Sequence, residues 1–560
     1  MHRFVRRLAC ELAEAGIPAL RFDYRGTGDS LGSETDPDQV KAWLAGVRKA
    51  VKWLREEAGI TEIALVGFRV GGLLAAQVAE QCGDIVALVL VGPVMSGTSY
   101  LREAAALNAF VPKFAAGQAR QALFPDTDKG GLEVAGFTLT PATIRDLEGL
   151  DLRSLKRRPA PRILVLGRSC SRADQRLGAM LRLLDAEVTV GILPGYASMP
   201  WNSSLAVLPH DAFSGLVDWI KFDPPSAHSL FARPDSPLLQ SLGWREEPVL
   251  FGSEGSLFAV HCAPVGSASR SAMLMVNHGL NRHIGWARMY VALARRLASQ
   301  GIGSLRMDIA GVGDSATPAG RRERELYAKE SLTDVQAAIG WLRQRGYEHI
   351  TLIGHSAGAH LAFYTAAADK RVTGLVMSNL PRFFHEPEES SEMERSRHFK
   401  STNWYLAMLR DRDVWGRLMR GDVNISGILS VVGVRYLRRL GAVLKAAYGR
   451  YTGLGLRHQL VLHLFRLLCK RGTNVLLVYT AQDSGLDELA LYGGRGGGNI
   501  AKLSNVDLQI IEDADHNLTP HWARERYFAL LEDHIRLSHA RPGSTDEIPA
   551  RHLEVSAGAC

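Results

Sequence analysis

The chain has 560 residues, too long for one ordinary domain, so two to four are expected. Hydrophobic residues make up 46% and charged residues 22%, the balance of an ordinary soluble globular protein. No apolar run reaches the ~18 residues of a membrane span, and a net charge of +8 over this length, with no nucleic-acid motif, points to no nucleic-acid partner.

Residues 1–16, "MHRFVRRLACELAEAG", begin like a signal peptide, but Glu11 and Glu14 interrupt any apolar region. The apolar spacing is helical, so an amphipathic helix is predicted. A strand, the loop "RFDYRGTGDS" (21–30) and a helix should follow. "EIALVGFRVGG" (62–72) then has the outline of a nucleophile elbow, G-x-S-x-G, where a strand turns sharply into a helix and presents a serine. Arg69 stands where the serine should be. Residues 222–246, rich in Pro and Ser, read as a linker.

Beyond the linker the chain repeats itself. "RFDYRGTGDS" recurs as "RMDIAGVGDS" (306–315), with six of ten positions identical. "LAEAGIPALR" (12–21) matches "LASQGIGSLR" (297–306), and "EIALVGFRVGG" matches "HITLIGHSAGA" (349–359). Arg69 and Ser356 lie 287 residues apart, and the loop motif is offset by 285. One shared period across three blocks is specific to a duplicated unit. Alternating helices and short apolar strands in each copy predict a mostly parallel sheet flanked by helices.

The second copy carries a complete nucleophile set. G-H-S-A-G places Ser356 between an apolar strand and an alanine-rich helix, whose N-terminus favours developing negative charge. A nucleophilic serine needs a base, and the base an orienting acid. "TNVLLVYTAQDSGLD" is a strand ending at Asp483, and "VDLQIIEDADHNLTP" is a strand ending near His516. Both fall at strand C-termini, where open parallel sheets place their sites. Asp487 is the fallback acid, while Asp513 and Asp515 stand too close to His516 in sequence. Two backbone donors are expected for an oxyanion: Ala357 N–H at the helix start, and Leu280 N–H in "NHGLNRH", where Gly279 permits an unusual turn.

With these motifs in order, residues 247–538 resemble the α/β-hydrolase superfamily in its serine aminopeptidase S33 or lysophospholipase-like branch. Both halves also resemble the paired hydrolases encoded beside exosortase and exopolysaccharide loci. "NHGLNRHIGWARMYVALARRLA" and "WYLAMLRDRDVWGRLMRGDVN" carry that likeness in the second half. "GPVMSGTSYLREAAAL" and "LEVAGFTLTPATIRDLEGLDL" carry it in the first. The resemblance implies two tandem α/β-hydrolase domains, 1–221 and 247–538, and a helical cap over about 382–472. From Arg410 to Arg471 there are thirteen Arg or Lys against three Asp, a basic face suited to an anionic membrane surface or an acidic substrate. "YGGRGGGN" (492–499) lacks the Lys-Ser/Thr of a phosphate loop and reads as a flexible loop. Residues 539–560 have no periodicity and read as a disordered tail.

Position by position, the first copy has lost its chemistry. Arg69 stands for Ser356, Ser171 for Asp483 (with Asp174 three residues on as a substitute) and Tyr196 for His516. Met1 aligns with about Trp286, so the strand and loop bearing "NHGL" have no counterpart; either the domain is truncated or the start lies downstream of the true one. Arg69 is then a structural arginine, an interface residue, or an anion-binding group at the mouth of a former site. The expected protein is a cytoplasmic serine hydrolase of an ester, thioester or amide in a small-molecule, lipid or acyl substrate, with a pseudo-hydrolase first domain. Acyl transfer to a sugar or lipid hydroxyl, and a non-catalytic assembly role, are the alternatives. The first domain is then a scaffold, a dimerisation surface or a regulatory binder, and a homodimer is one assembly this allows. Six cysteines without CxxC spacing suit a reducing cytosol, and neither metal nor cofactor is implied.

Overall fold

The computed structural model describes residues 2–110, 131–196, 210–221, 238–266, 269–385 and 454–540. The chain divides into two compact units, Met1–Asp235 and Ser236–Cys560. The tail at 539–560 beyond residue 540, the linker up to 237 and the cap between 386 and 453 lie outside the described residues, and so does most of the basic stretch. Among the described residues, no helix is long and apolar enough to cross a membrane.

The first unit opens with α1 (His2–Glu14) and α2 (Gln39–Glu56). Its sheet is built from β1 (Ala64–Phe68), β2 (Ala87–Val91), β5 (Arg162–Gly167) and β6 (Glu187–Ile192). All four are parallel, in spatial order β1-β2-β5-β6. Helix α3 (Val70–Cys82) follows β1, α4 (Gly97–Phe110) follows β2, and a hairpin, β3 (Leu132–Val134) with β4 (Phe137–Leu139), precedes β5. β2 is apolar and buried throughout, as a strand covered on both faces must be.

The second unit holds a nine-stranded sheet in order β15-β14-β13-β12-β10-β11-β9-β8-β7. The strands are β7 (Leu239–Ser241), β8 (Trp244–Phe251), β9 (Leu257–Pro264), β10 (Ser271–Met275), β11 (Gly303–Asp308), β12 (His349–His355), β13 (Val372–Ser378), β14 (Asn474–Thr480) and β15 (Val506–Ile511). β10 to β15 run parallel, and β9, β8 and β7 add on antiparallel at one side. One face packs on α8 (Met289–Ser299) and α14 (His521–Ala540), the other on α9 (Ser331–Gln344) and α10 (Ala357–Ala368). From β10 the chain steps to β11 on one side, then returns to β12 on the other. That reversal opens a crevice beyond the strand C-termini, where ligands bind in open α/β sheets.

Three expectations change. The segment 222–246 is not all linker: β7 and the start of β8 fall inside it. The reason is electrostatic. Glu246 of β8 is 1% exposed and accepts from Arg306 Nη2 of β11 (2.8 Å) and Arg295 Nη2 of α8 (2.6 Å). The Arg306 side chain is wholly buried, so this carboxylate has to reach it. Secondly, the strand expected around residues 18–23 does not form, and Leu20 and Phe22 stay 42% and 44% exposed. Its counterpart β11 is buried at every residue because β10 and β9 bond it on both edges. Among the described residues of the first unit, the sheet begins at β1, and a strand with no ladder partner is not held. Thirdly, 492–499 is ordered rather than a loose loop. It joins the end of a helix, Gly485–Gly493, to a short one, Gly498–Ala501, with Gly494, Gly496 and Gly497 at positive φ.

Glu246→Ala removes a buried carboxylate bonded to two guanidinium groups, at a cost of about 3–5 kcal/mol. Urea unfolding should show the transition of the second unit displaced to lower denaturant and that of the first unit unmoved. A second unit as stable as wild type would contradict the role given to this triad.

Candidate active site

β12 ends at His355 and α10 begins at Ala357, so Ser356 alone makes the turn. It sits at φ 55°, ψ −123°, a conformation that L-residues rarely adopt. Two glycines allow it. A Cβ on Gly354 would lie 2.2 Å from Gly358 O, and one on Gly358 would lie 2.2 Å from Asn277 O. The loop after β10 therefore passes directly over the first turn of α10.

That loop is the one expected to supply an oxyanion donor. Gly279 lies at φ 57°. Asn281 closes the turn through its N–H (3.1 Å) and Nδ2 (2.9 Å), both donating to His278 O. Asn277 Nδ2 donates to Asn281 O (3.0 Å) and to Asp308 Oδ1 (2.7 Å). The first turn of α10 leaves Ala357 N–H without an acceptor inside the helix. Leu280 and Ala357 thus stand on two backbone segments that meet at Gly358.

His516 follows β15 and faces Ser356. Its Nε2 is 2.9 Å from Ser356 Oγ and its Nδ1 is 2.5 Å from Asp483 Oδ2. Asp483 is 1% exposed, and its other oxygen accepts Gly485 N–H (2.7 Å). The ionised carboxylate orients the ring with Nδ1–H toward itself and Nε2 toward the hydroxyl. Asp515 accepts instead from Thr519 N–H (2.6 Å) and Thr519 Oγ1 (2.7 Å) within its own turn. Asp487 lies in the first turn of the helix after Asp483, and the acid bonded to His516 is Asp483.

Several neighbours were not singled out from the sequence. His355 Nε2 donates to His516 O (2.7 Å), as does Asn379 Nδ2 (2.7 Å). The His278 and His355 rings stand 3.9 Å apart, and His278 Nε2 is 3.2 Å from Asn517 Oδ1. Burial holds His278 neutral, its pKa pushed down to about 3. Burial lowers His355 well below the usual imidazole range too. His360, one turn beyond Ser356 on α10, is lowered by burial to about 4. Asp308 is another such neighbour, although R-x-D occurs in both copies, ending at Asp23 and at Asp308. It accepts from Asn277 Nδ2, His283 N–H (2.7 Å), His283 Nδ1 (2.7 Å) and Asp314 N–H (2.9 Å). His283, Asp308 and Asp314 come within metal-ligand spacing of one another, but donors from the chain occupy the Asp308 carboxylate. It pins the oxyanion loop to the loop after β11. Asp23 of the first unit repeats the same bond to Asp29 N–H (3.2 Å).

The first unit keeps the turn and changes the side chains. Arg69 lies at φ 50°, ψ −117°, beside a Gly67 whose Cβ would meet Gly71 O at 2.5 Å. Arg69 N–H bonds Val91 O and Ser356 N–H bonds Ser378 O, each at 2.9 Å. Arg69 Nη1 donates to Tyr196 Oη (3.3 Å), so Tyr196 lies where a base would face it. Arg69 Nη2 pairs with Glu103 of α4. Ser171 and Asp174 form a capping box at the start of the helix Arg172–Arg182 and are committed to each other. A Cβ on Gly71, the equivalent of Gly358, would meet only Tyr24 Oη, at 3.7 Å. Among the described residues, then, no oxyanion loop crosses this elbow.

The family model described as "Serine aminopeptidase, S33" matches residues 1–163 and 268–400. No curated protein matches the chain. Among solved structures, an esterase of Pyrococcus furiosus is 15% identical, covering 52% of this chain and 90% of that one, with a TM-score of 0.33. Est1E from Butyrivibrio proteoclasticus, with ferulic acid bound, is 13% identical, covering 51% and 96%, at 0.31. The α/β hydrolase GrgF from Penicillium sp. sh18 is 16% identical, covering 53% and 98%, at 0.32. With its family model spread over both units and more than half of its length, the chain belongs to the serine aminopeptidase S33 family of α/β hydrolases.

Proposed function

We propose that the second unit is a cytoplasmic serine hydrolase that cleaves an ester, thioester or amide of a small-molecule, lipid or acyl substrate. The observation that carries this reading is the unbroken hydrogen-bonded line Asp483–His516–Ser356 at a strained elbow. His516 Nε2 takes the Ser356 proton as Oγ attacks the carbonyl carbon. The oxyanion is held by Leu280 N–H and Ala357 N–H. Collapse breaks the bond to the leaving group, which takes the proton from His516. Water then gives a proton to His516 as its oxygen attacks the acyl carbon, and collapse breaks the bond to Oγ, which takes that proton back from His516 as the acid leaves. A sugar or lipid hydroxyl in place of that water would give acyl transfer with the same groups.

The first unit is read as a non-catalytic scaffold. Arg69 stays protonated at physiological pH and cannot attack a carbonyl. Its anion is internal, Glu103.

With p-nitrophenyl acetate as substrate, Ser356→Ala should abolish turnover above the uncatalysed rate. Asp483→Asn should lower kcat by about 10⁴-fold, the loss expected when the base takes the wrong tautomer. Turnover by Ser356→Ala equal to wild type would remove the proposal. Products formed with and without added glycerol separate hydrolysis from transfer. Arg69→Ser should leave the rate unchanged, because among the described residues neither a base nor an oxyanion loop accompanies the new hydroxyl; an increase in rate that survives Ser356→Ala would contradict the scaffold reading.

The buried histidines set the acid limit. Their folded pKa values lie below the unfolded value of 6.5, so the unfolded chain takes up more protons. Stability is undiminished above about pH 6.5 and falls as pH drops through about 4, the value for His360, to about 3, the value for His278. Urea midpoints should be lower at pH 5 than at pH 7; a higher midpoint at pH 5 would contradict the neutral assignment.

A further inference from the structure

We propose that His355 and Asn379 are positioning residues that hold the backbone of His516 over Ser356. The inference rests on reading Ser356, Asp483 and His516 as the triad.

His516 comes from the far edge of the sheet. β15 is an edge strand, three positions from β12 in the order β15-β14-β13-β12. At about 4.8 Å per strand spacing, the loop must project its ring across about 14 Å. A loop spanning that gap needs fixed points, and the His516 carbonyl receives two. His355 Nε2 and Asn379 Nδ2 each donate to it at 2.7 Å. A carbonyl only accepts, so Nε2 of His355 carries the hydrogen and Nδ1 accepts from Ser378 Oγ, 2.8 Å away. Asn379 is oriented by its own second bond, since its Oδ1 accepts Thr480 N–H at 2.8 Å. Both donors are buried, at 0% and 1% exposure, and both sit at the C-termini of the strands that the loop crosses.

The first unit serves as an internal comparison. The paired bonds Arg69 N–H to Val91 O and Ser356 N–H to Ser378 O set Phe68 at the place of His355. Gly92 N–H bonds Leu166 O (2.7 Å) as Asn379 N–H bonds Val478 O (2.9 Å), so Gly92 takes the place of Asn379. Neither Phe68 nor Gly92 carries a side-chain donor. A Cβ on Gly92 would lie 2.0 Å from Tyr196 Oη, so the tyrosine uses the space that the Asn379 side chain fills in the second unit. Features of the frame persist in both copies: the elbow glycines, the positive φ, and the carboxylate of Asp23 or Asp308 in the earlier loop. The two donors to the His516 carbonyl have gone together with His516. Groups needed only for folding the sheet would have no reason to depart with the base.

The test measures the rate of labelling by a fluorophosphonate in the full chain. Asn379→Asp is nearly isosteric and keeps the acceptor for Thr480 N–H while replacing the donor with a second acceptor. His355→Phe and Asn379→Gly transplant the residues of the first unit. His355→Gln keeps an amide donor. Displacement of the base by about 1 Å is worth about 10²-fold in rate, so Asn379→Asp and His355→Phe should label about 10²-fold more slowly. His355→Gln should recover most of the loss, at thermal midpoints matching those of His355→Phe. Wild-type rates in folded Asn379→Asp and His355→Phe overturn the positioning role and leave the triad reading intact. So does a His355→Gln no faster than His355→Phe. Wild type that does not label overturns the triad reading itself, and this proposal with it.

Discussion

A residue held at positive φ between a parallel strand and a helix is the constraint on which both units depend. Ser356 and Arg69 occupy nearly the same backbone conformation, and each costs on the order of 1–3 kcal/mol in strain. The glycine two residues before each turn removes a clash, as in the second unit does the glycine two residues after it, and the N–H of the strained residue bonds the end of the neighbouring strand. Because the arginine copy keeps this geometry without a serine, the turn belongs to the fold first. The chemistry proposed for the second copy exploits a conformation that the sheet imposes.

Around that turn, the second unit gathers groups from five strand ends. β10 brings the loop with Leu280, β11 the carboxylate of Asp308 that pins it, β13 brings Asn379, β14 Asp483 and β15 His516. Parallel strands share one direction, so their C-termini converge at the reversal of strand order, and distant segments meet there. The first unit keeps the turn with other side chains around it. Among the described residues its sheet starts at β1 and no oxyanion loop crosses its elbow; the arginine is taken up by Glu103 and Tyr196.

Local patterns made the elbow, the strand-end carboxylate and imidazole, and the duplication legible, because each is carried by a short contiguous stretch. The 287-residue offset between Arg69 and Ser356 is matched bond for bond in the strand ladders. What sequence did not reveal depends on partners far away in the chain. Residues 239–246 look like linker until Arg306, sixty residues on, is seen to need Glu246. Residues 18–23 read as a strand by analogy with β11, but an apolar segment becomes a strand only with neighbours to bond. His355 stands at an x position of G-x-S-x-G, which the motif leaves open, and it meets a carbonyl 161 residues downstream. A usable signal did exist: His355 and Asn379 differ between the copies, Phe68 and Gly92, just as the nucleophile and base do.

The central claim is that one elbow of two acts as the nucleophile, and site mapping tests it most directly. The full chain is treated with diisopropyl fluorophosphate, weighed intact, digested and sequenced by tandem mass spectrometry. One adduct per chain, on Ser356 within "GHSAG", is the predicted result. No adduct on a folded chain, or an adduct on a serine of the first unit, would contradict it.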